Sequence, residues 1–248
     1  MKKSIVFMLS MMTFSWMGCL CAQETALTEA KDQLHHEMGG GNQQMLLLDR
    51  LEYQAQRGAN ATLWDGDAWW GGDINRLWLK SEGEVEDGQV GDAELQALYS
   101  RAISPYLNLQ TGARQDFNKG PSRTDAVLGI QGLAPQWFEV DAAAFVSNHG
   151  DLTARLETEY ELFLTQRLIL QPRLELDAAA QDIPALGIGS GLGTVELGLR
   201  LRYEIRREVA PYIGIAWQRD LGETADHTRA AGERVQHTAL VVGLRLWW

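Results

Sequence analysis

Residues 152–206 alternate in character almost without interruption. From 152 to 162 the even positions are Leu152, Ala154, Leu156, Thr158, Tyr160 and Leu162, and the odd positions between them are Thr153, Arg155, Glu157, Glu159 and Glu161. After a short break, Leu168, Leu170, Pro172, Leu174 and Leu176 alternate with Gln171, Arg173, Glu175 and Asp177. A third pass sets Val195, Leu197, Leu199, Leu201, Tyr203 and Ile205 against Glu196, Arg200, Arg202 and Glu204. Successive side chains of a strand point to opposite sides, so each pass has one apolar and one charged face. Strands of soluble proteins usually run about five or six residues, and these passes are much longer. Leucine on one face and ion-pairing residues on the other is the pattern of a transmembrane β-barrel, apolar toward lipid and polar toward a wet lumen.

The rest of the chain extends the pattern to an all-β, closed, antiparallel up-and-down barrel of about twelve strands over residues 45–248. The first strand, at 46–56, carries Arg50, Glu52, Gln54 and Gln56 on its polar side. The third carries Leu77 and Leu79 outward against Arg76, Lys80 and Glu82. The fifth has Leu107, Leu109 and Ala113 outside with Asn108, Gln110, Arg114 and Asp116 inside. Tight turns, such as Ser104-Pro105 and Thr165-Gln166, alternate with longer polar loops at 84–91, 118–122 and 221–235. Outer-membrane barrels alternate short periplasmic turns with longer external loops in this way. Eight tryptophans, from Trp64, Trp69, Trp70 and Trp78 to Trp137, Trp217, Trp247 and Trp248, fall mostly near strand ends, as an aromatic girdle requires. The strand at 60–70 is the least regular, so ten strands beginning near Asp73 is the alternative.

Composition narrows the picture. After the N-terminus no run approaches the roughly 20 apolar residues of a spanning helix, which leaves a barrel as the way through a membrane. A formal net charge of −11 argues against a nucleic-acid partner. Lys2 and Lys3, an apolar run at 5–17 and the small residues Gly18, Cys19, Cys21 and Ala22 predict a secretory signal peptide over 1–22. Lipidation of Cys19 is the rival reading. Residues 23–44 are polar, contain Gly39-Gly40-Gly41 and predict a flexible periplasmic tail. Within and just after it lie His35, His36, Met38 and Met45; imidazole and thioether donors together favour copper, especially Cu(I). No methionine follows Met45. His149, His227 and His237 are weaker candidates for the same metal. The run Gly187-Ile188-Gly189-Ser190-Gly191-Leu192-Gly193 joins two strands and lacks the following helix of a phosphate loop. Ser147 near His149, and Ser190, fall in loops rather than in an aligned hydrolase site; a non-enzymatic barrel is expected.

Several segments resemble one family. Trp64-Asp65-Gly66-Asp67-Ala68-Trp69-Trp70-Gly71-Gly72-Asp73, Asn75-Arg76-Leu77-Trp78-Leu79-Lys80, Gly132-Leu133-Ala134-Pro135 with Trp137-Phe138-Glu139, and Leu199-Arg200-Leu201-Arg202-Tyr203-Glu204 are similar, in collinear order, to the copper resistance protein B family. The resemblance implies an outer-membrane barrel of a Gram-negative bacterium that binds or passes copper ions and contributes to copper tolerance. It also implies work beside a periplasmic multicopper oxidase or copper carrier. Family members often carry a long Met- and His-rich N-terminal segment, of which His35-His36-Glu37-Met38 and Met45 are a remnant here. Two functions follow as expectations: a copper-handling channel, or a non-conducting barrel that docks periplasmic copper proteins.

Overall fold

The computed structural model describes residues 41–56, 60–86, 89–117 and 123–248, without the side chain of Gln89. The expected signal peptide, almost all of the expected tail, and His35, His36 and Met38 lie outside the described residues.

Long alternating runs become long strands: β1 (Gln43–Ala55), β2 (Asn60–Gly71), β3 (Asn75–Glu86), β4 (Gln89–Ala102), β5 (Leu107–Asp116), β6 (Arg123–Ala134), β7 (Phe138–Ser147), β8 (Leu152–Glu159), β9 (Leu162–Phe163), β10 (Leu168–Ala179), β11 (Gly191–Tyr203), β12 (Val209–Asp220) and β13 (Gln236–Trp247). Each pairs with its sequence neighbour, except that β8 and β9 both pair with β10, and β13 returns to β1 from Leu47↔Trp247 to Ala55↔Leu240. The sheet therefore closes on itself. Closure leaves no row of unpaired backbone groups facing lipid, where each costs several kcal/mol.

β8 and β9 lie successively along the same edge of β10 and form one stave, so the ring has twelve. Their division has a local cause. Pairing with β10 stops at Arg173↔Glu159 and resumes at Leu170↔Leu162, on either side of Pro172. Proline has no N–H to give the ladder, and only its carbonyl takes part, accepting from the Tyr160 N–H at 3.2 Å. The ten-strand alternative fails because β2 pairs with β3 along its length, from Ala61↔Glu86 to Gly71↔Arg76.

Burial is inverted relative to a soluble protein. On β11, Leu197 and Leu199 are each 47% exposed on the outer face, while Arg200 and Arg202 on the inner face are 4% and 2% exposed. The apolar side chains meet the hydrocarbon; the charged ones pack against each other inside.

The five connections at one end are short, at 72–74, 103–106, 135–137, 164–167 and 204–208, and β1 starts and β13 finishes there. The opposite end carries two long connections, 180–190 and 221–235. The second, expected as a loop, contains α1 (Gly222–Ala230). Glu223 in its first turn and His227 and Arg229 in its last suit the helix dipole. The acidic loop expected at 84–91 is instead mostly strand. A register shift between Gly83 and Val85 breaks the period there, which hides the strand from an alternation argument. The girdle expectation also needs correction. Trp70, Trp137 and Trp248 are exposed on the outside, but Trp69 and Trp78 turn into the lumen, with ring centroids 6.2 Å apart.

Candidate functional site

The lumen has two unlike walls. The inner face of β3, β4, β6 and β7 bears an apolar cluster of Trp78, Leu98, Val127 and Phe145, with Trp69 and Ala143 against it. Around the rest of the ring the inward positions are largely charged, and they pair. Arg173 on β10 reaches Glu157 (2.7 Å), Glu175 (2.9 Å) and Glu159 (3.2 Å). Arg200 on β11 makes a two-pronged bond to Glu52 on β1, at 2.7 and 3.0 Å. Arg50 bridges Asp65 and Glu82, both at 2.9 Å. On β5, Arg114 holds Asp125 (2.6 Å) and Asp116 (2.9 Å) while its guanidinium stacks 3.8 Å from the Phe145 ring centroid. Parallel N–H···O bonds from a planar guanidinium fix a carboxylate's orientation as well as its charge.

Three contacts cross the interior rather than run along a wall. Lys80 on β3 pairs with Asp141 on β7. Arg245 on β13 joins Asp49 (2.7 Å) to Glu161, beside the Pro172 break (3.2 Å). Arg155 on β8 reaches Glu82 (3.2 Å) and Glu94 (3.4 Å) on β3 and β4, and Asp177 (3.2 Å) and Glu175 (3.6 Å) on β10.

These contacts leave two chambers. One, about 740 Å³, opens toward the short-turn end and is lined by Met45, Asp49, Asp65, Asp67, Trp69 and Trp247 among others. The other, about 620 Å³, opens toward the long-loop end, with Glu86, Asp92, Thr228, Glu233 and His237 in its lining. Carboxylates outnumber Lys and Arg ten to six in the first lining and ten to four in the second. The interior is therefore electronegative throughout, and its apolar wall concentrates that field. Glu82, Glu94, Phe145 and Arg155 belong to both linings and form the waist between them.

At the long-loop end, α1 is fastened to the 180–190 connection. The Gly189 N–H donates to Thr224 Oγ1 (2.9 Å), Ser190 Oγ donates to Glu223 (2.7 Å), and His227 Nε2 lies 2.8 Å from Asp182 Oδ1. Nearby, Asp151 precedes β8. A hydrogen bond from Gln181 (3.1 Å), helped by Arg123 (2.7 Å) and Ser147, holds its carboxyl below the usual aspartate range.

The sequence candidates for metal binding are scattered. Met45 lines the chamber at the short-turn end. His149 sits in the exposed turn before β8, His227 on α1 is tied to Asp182 of the 180–190 connection, and His237 lines the chamber at the long-loop end. Met45 thus stands at one end of the barrel and the three histidines at the other. Among the described residues no three His, Cys, Asp or Glu side chains are grouped to hold a metal ion. Ser147 is occupied by its own turn, its hydroxyl accepting from the backbone N–H groups of His149 and Asp151 at 3.1 Å. What sequence reasoning passed over is the waist. Arg155 and Glu82 are legible as inward-facing, but nothing in the alternation indicates that they meet, or that Glu94 on β4 joins them.

Comparison with known proteins agrees with this architecture. A family model described as copper resistance protein B precursor matches residues 42–248. A copper resistance protein B homolog of Pseudomonas syringae pv. tomato (strain ATCC BAA-871 / DC3000) is 48% identical over 202 residues, 82% of this chain and 69% of that protein. Copper resistance protein B of Escherichia coli is 46% identical over 204 residues, with the same coverage. Among solved structures, a NanC porin superposes with a TM-score of 0.55 at 11% identity, covering 82% of this chain and 99% of the porin; at that identity the likeness concerns the fold. The chain belongs to the copper resistance protein B family, as an outer-membrane β-barrel with a role in copper resistance.

Proposed function

We propose that the barrel passes copper ions through its lumen, and that this passage is its contribution to copper resistance. The observation behind the reading is the pair of acidic chambers meeting end to end at a shared waist. A cation entering a low-dielectric passage is drawn by rings of carboxylates. Carboxylates are hard ligands that hold a soft ion weakly, so they suit transit better than storage. Soft donors stand apart from them. Met45 lines the chamber at the short-turn end, the end that faces the periplasm in barrels of this architecture. His35, His36 and Met38 precede it in sequence, and we assign these four residues to capture at the periplasmic mouth. A periplasmic multicopper oxidase or copper carrier would exchange copper there.

The test is copper accumulation in cells lacking their own copy and complemented with this chain. A change in periplasmic copper relative to the empty vector is expected, and it should shrink with His35→Ala/His36→Ala/Met38→Ala. Unchanged copper with the barrel present in the outer membrane would point instead to a docking role.

A further inference from the structure

We infer that Arg155 is the gate of this lumen and the residue that sets its ionic selectivity. The inference rests on the reading of the barrel as an ion path. Four side chains separate the two chambers, and Arg155 alone among them is cationic. It projects from β8, five staves around the ring from β3, where Glu82 lies, and four from β4, where Glu94 lies. Its Nη1 contacts those two carboxylates on the far side at 3.2 and 3.4 Å. Its Nε contacts Asp177 and Glu175 on the neighbouring β10 at 3.2 and 3.6 Å.

The guanidinium therefore sits where a permeating cation has to pass, held by groups from both sides of the bore. Glu82 is anchored from behind by Arg50 at 2.9 Å, and Glu94 accepts from Gln96 at 2.7 Å. The carboxylates are fixed and the arginine, on its long flexible stem, is the movable member. The wall beside it is Phe145, which cannot replace the ion pairs if Arg155 leaves. Swinging Arg155 onto the β10 side would release Glu82 and Glu94, join the chambers and expose carboxylates at the narrowest point. A bore ringed by carboxylates passes cations and repels anions.

The test is conductance of the purified chain in planar bilayers in potassium chloride, with two variants that open the waist by opposite charge changes. Arg155→Ala is expected to raise conductance several-fold and shift the reversal potential toward potassium. Glu82→Gln/Glu94→Gln, which frees Arg155 from the far side, is expected to raise conductance while shifting the reversal potential toward chloride. If either variant fails to insert as a heat-resistant barrel, the other decides. Unchanged conductance in an inserted variant overturns the gate, as does the same selectivity shift in both. Because potassium carries the current, these results stand apart from copper. Copper accumulation that ignores an opened waist would sink the copper reading and leave the gate standing.

Discussion

The bond between Glu52 and Arg200 offers the sharpest test of whether the lumen behaves as a packed interior. Glu52 is 0% exposed and Arg200 4% exposed. The carboxylate takes both prongs of the guanidinium at 2.7 and 3.0 Å. Glu52→Ala leaves the guanidinium buried without its counter-ion, and removing one partner of a buried pair costs about 3–5 kcal/mol. For a urea dependence of about 2.5 kcal/mol per molar, that lowers the unfolding midpoint by about 1–2 M. The assay is urea unfolding of barrel reconstituted in lipid vesicles, followed by tryptophan fluorescence. Glu52→Ala/Arg200→Ala removes the stranded charge as well, so the double variant should recover part of the loss, with a coupling of about 2–3 kcal/mol. A loss below about 1 kcal/mol at unchanged slope is the value of a solvent-exposed pair. That result would refute the reasoning, because it would mean that water in the bore screens the bond.

Three further outcomes are expected. A Cβ on Gly83 would lie 2.3 Å from the ring of Trp64, which packs over it and donates to Ser81 at 3.3 Å; Gly83→Ala should cost about 1–3 kcal/mol in the same unfolding assay, and Trp64→Leu should relieve part of it. Asp151 contributes a pH-dependent tie. Its carboxyl is held low in the folded chain by Gln181, Arg123 and Ser147, so the contribution is complete above the ordinary aspartate value of about 3.9 and is lost as pH falls below it through the depressed one. Hydrogen-exchange protection of residues 148–151, taken relative to the intrinsic rate at each pH, should fall over that acid range in the wild type and stay constant there in Asp151→Asn. Finally, Glu86, Asp92 and Glu233 line the chamber at the long-loop end and take part in none of the ion pairs among the described residues. Glu86→Gln/Asp92→Asn/Glu233→Gln should leave the urea midpoint unchanged but lower the potassium-over-chloride permeability ratio. The effect should be larger at 10 mM than at 1 M salt, as the screening length falls from about 30 to about 3 Å.

Most of the architecture is legible in the period of two. Once Leu199 faces lipid, Arg200 and Arg202 must face the bore, and the same parity places Lys80, Gln110 and Arg173 inside. It also places Trp78 inside, where its ring joins an apolar wall rather than a girdle; composition at strand ends pointed the other way, and parity was the better guide. The pattern fails where the ladder is irregular. The register shift at Gly83 conceals the continuation of β3 to Glu86, and α1 begins at a connection whose charges read equally well as a solvated loop. Partners are a separate matter. Arg245 and Glu161 lie 84 residues apart in the chain and meet across the bore, a contact set by ring closure and strand stagger that no local pattern encodes.

The same geometry divides the lumen's acidic residues into two kinds. Glu52, Asp125 and Glu157 each face an arginine at 2.7 Å or less; their charges are cancelled locally and serve mainly to hold the inner surface in shape. Glu86, Asp92 and Glu233 face the chamber at the long-loop end outside those pairs, and their charge extends into it. An acidic bore made only of the second kind would repel itself, since like charges held close in a low-dielectric wall destabilise the compact state. One made only of the first kind would attract little. Arg155 stands between these cases: among the described residues it is the one arginine paired with Asp177 and a second cation for Glu82, Glu94 and Glu175, which also face Arg50, Arg114 and Arg173, so its departure leaves all four less fully cancelled. Moving one side chain therefore converts carboxylates from structural to field-setting, which is why the waist, rather than either chamber, governs what the bore admits.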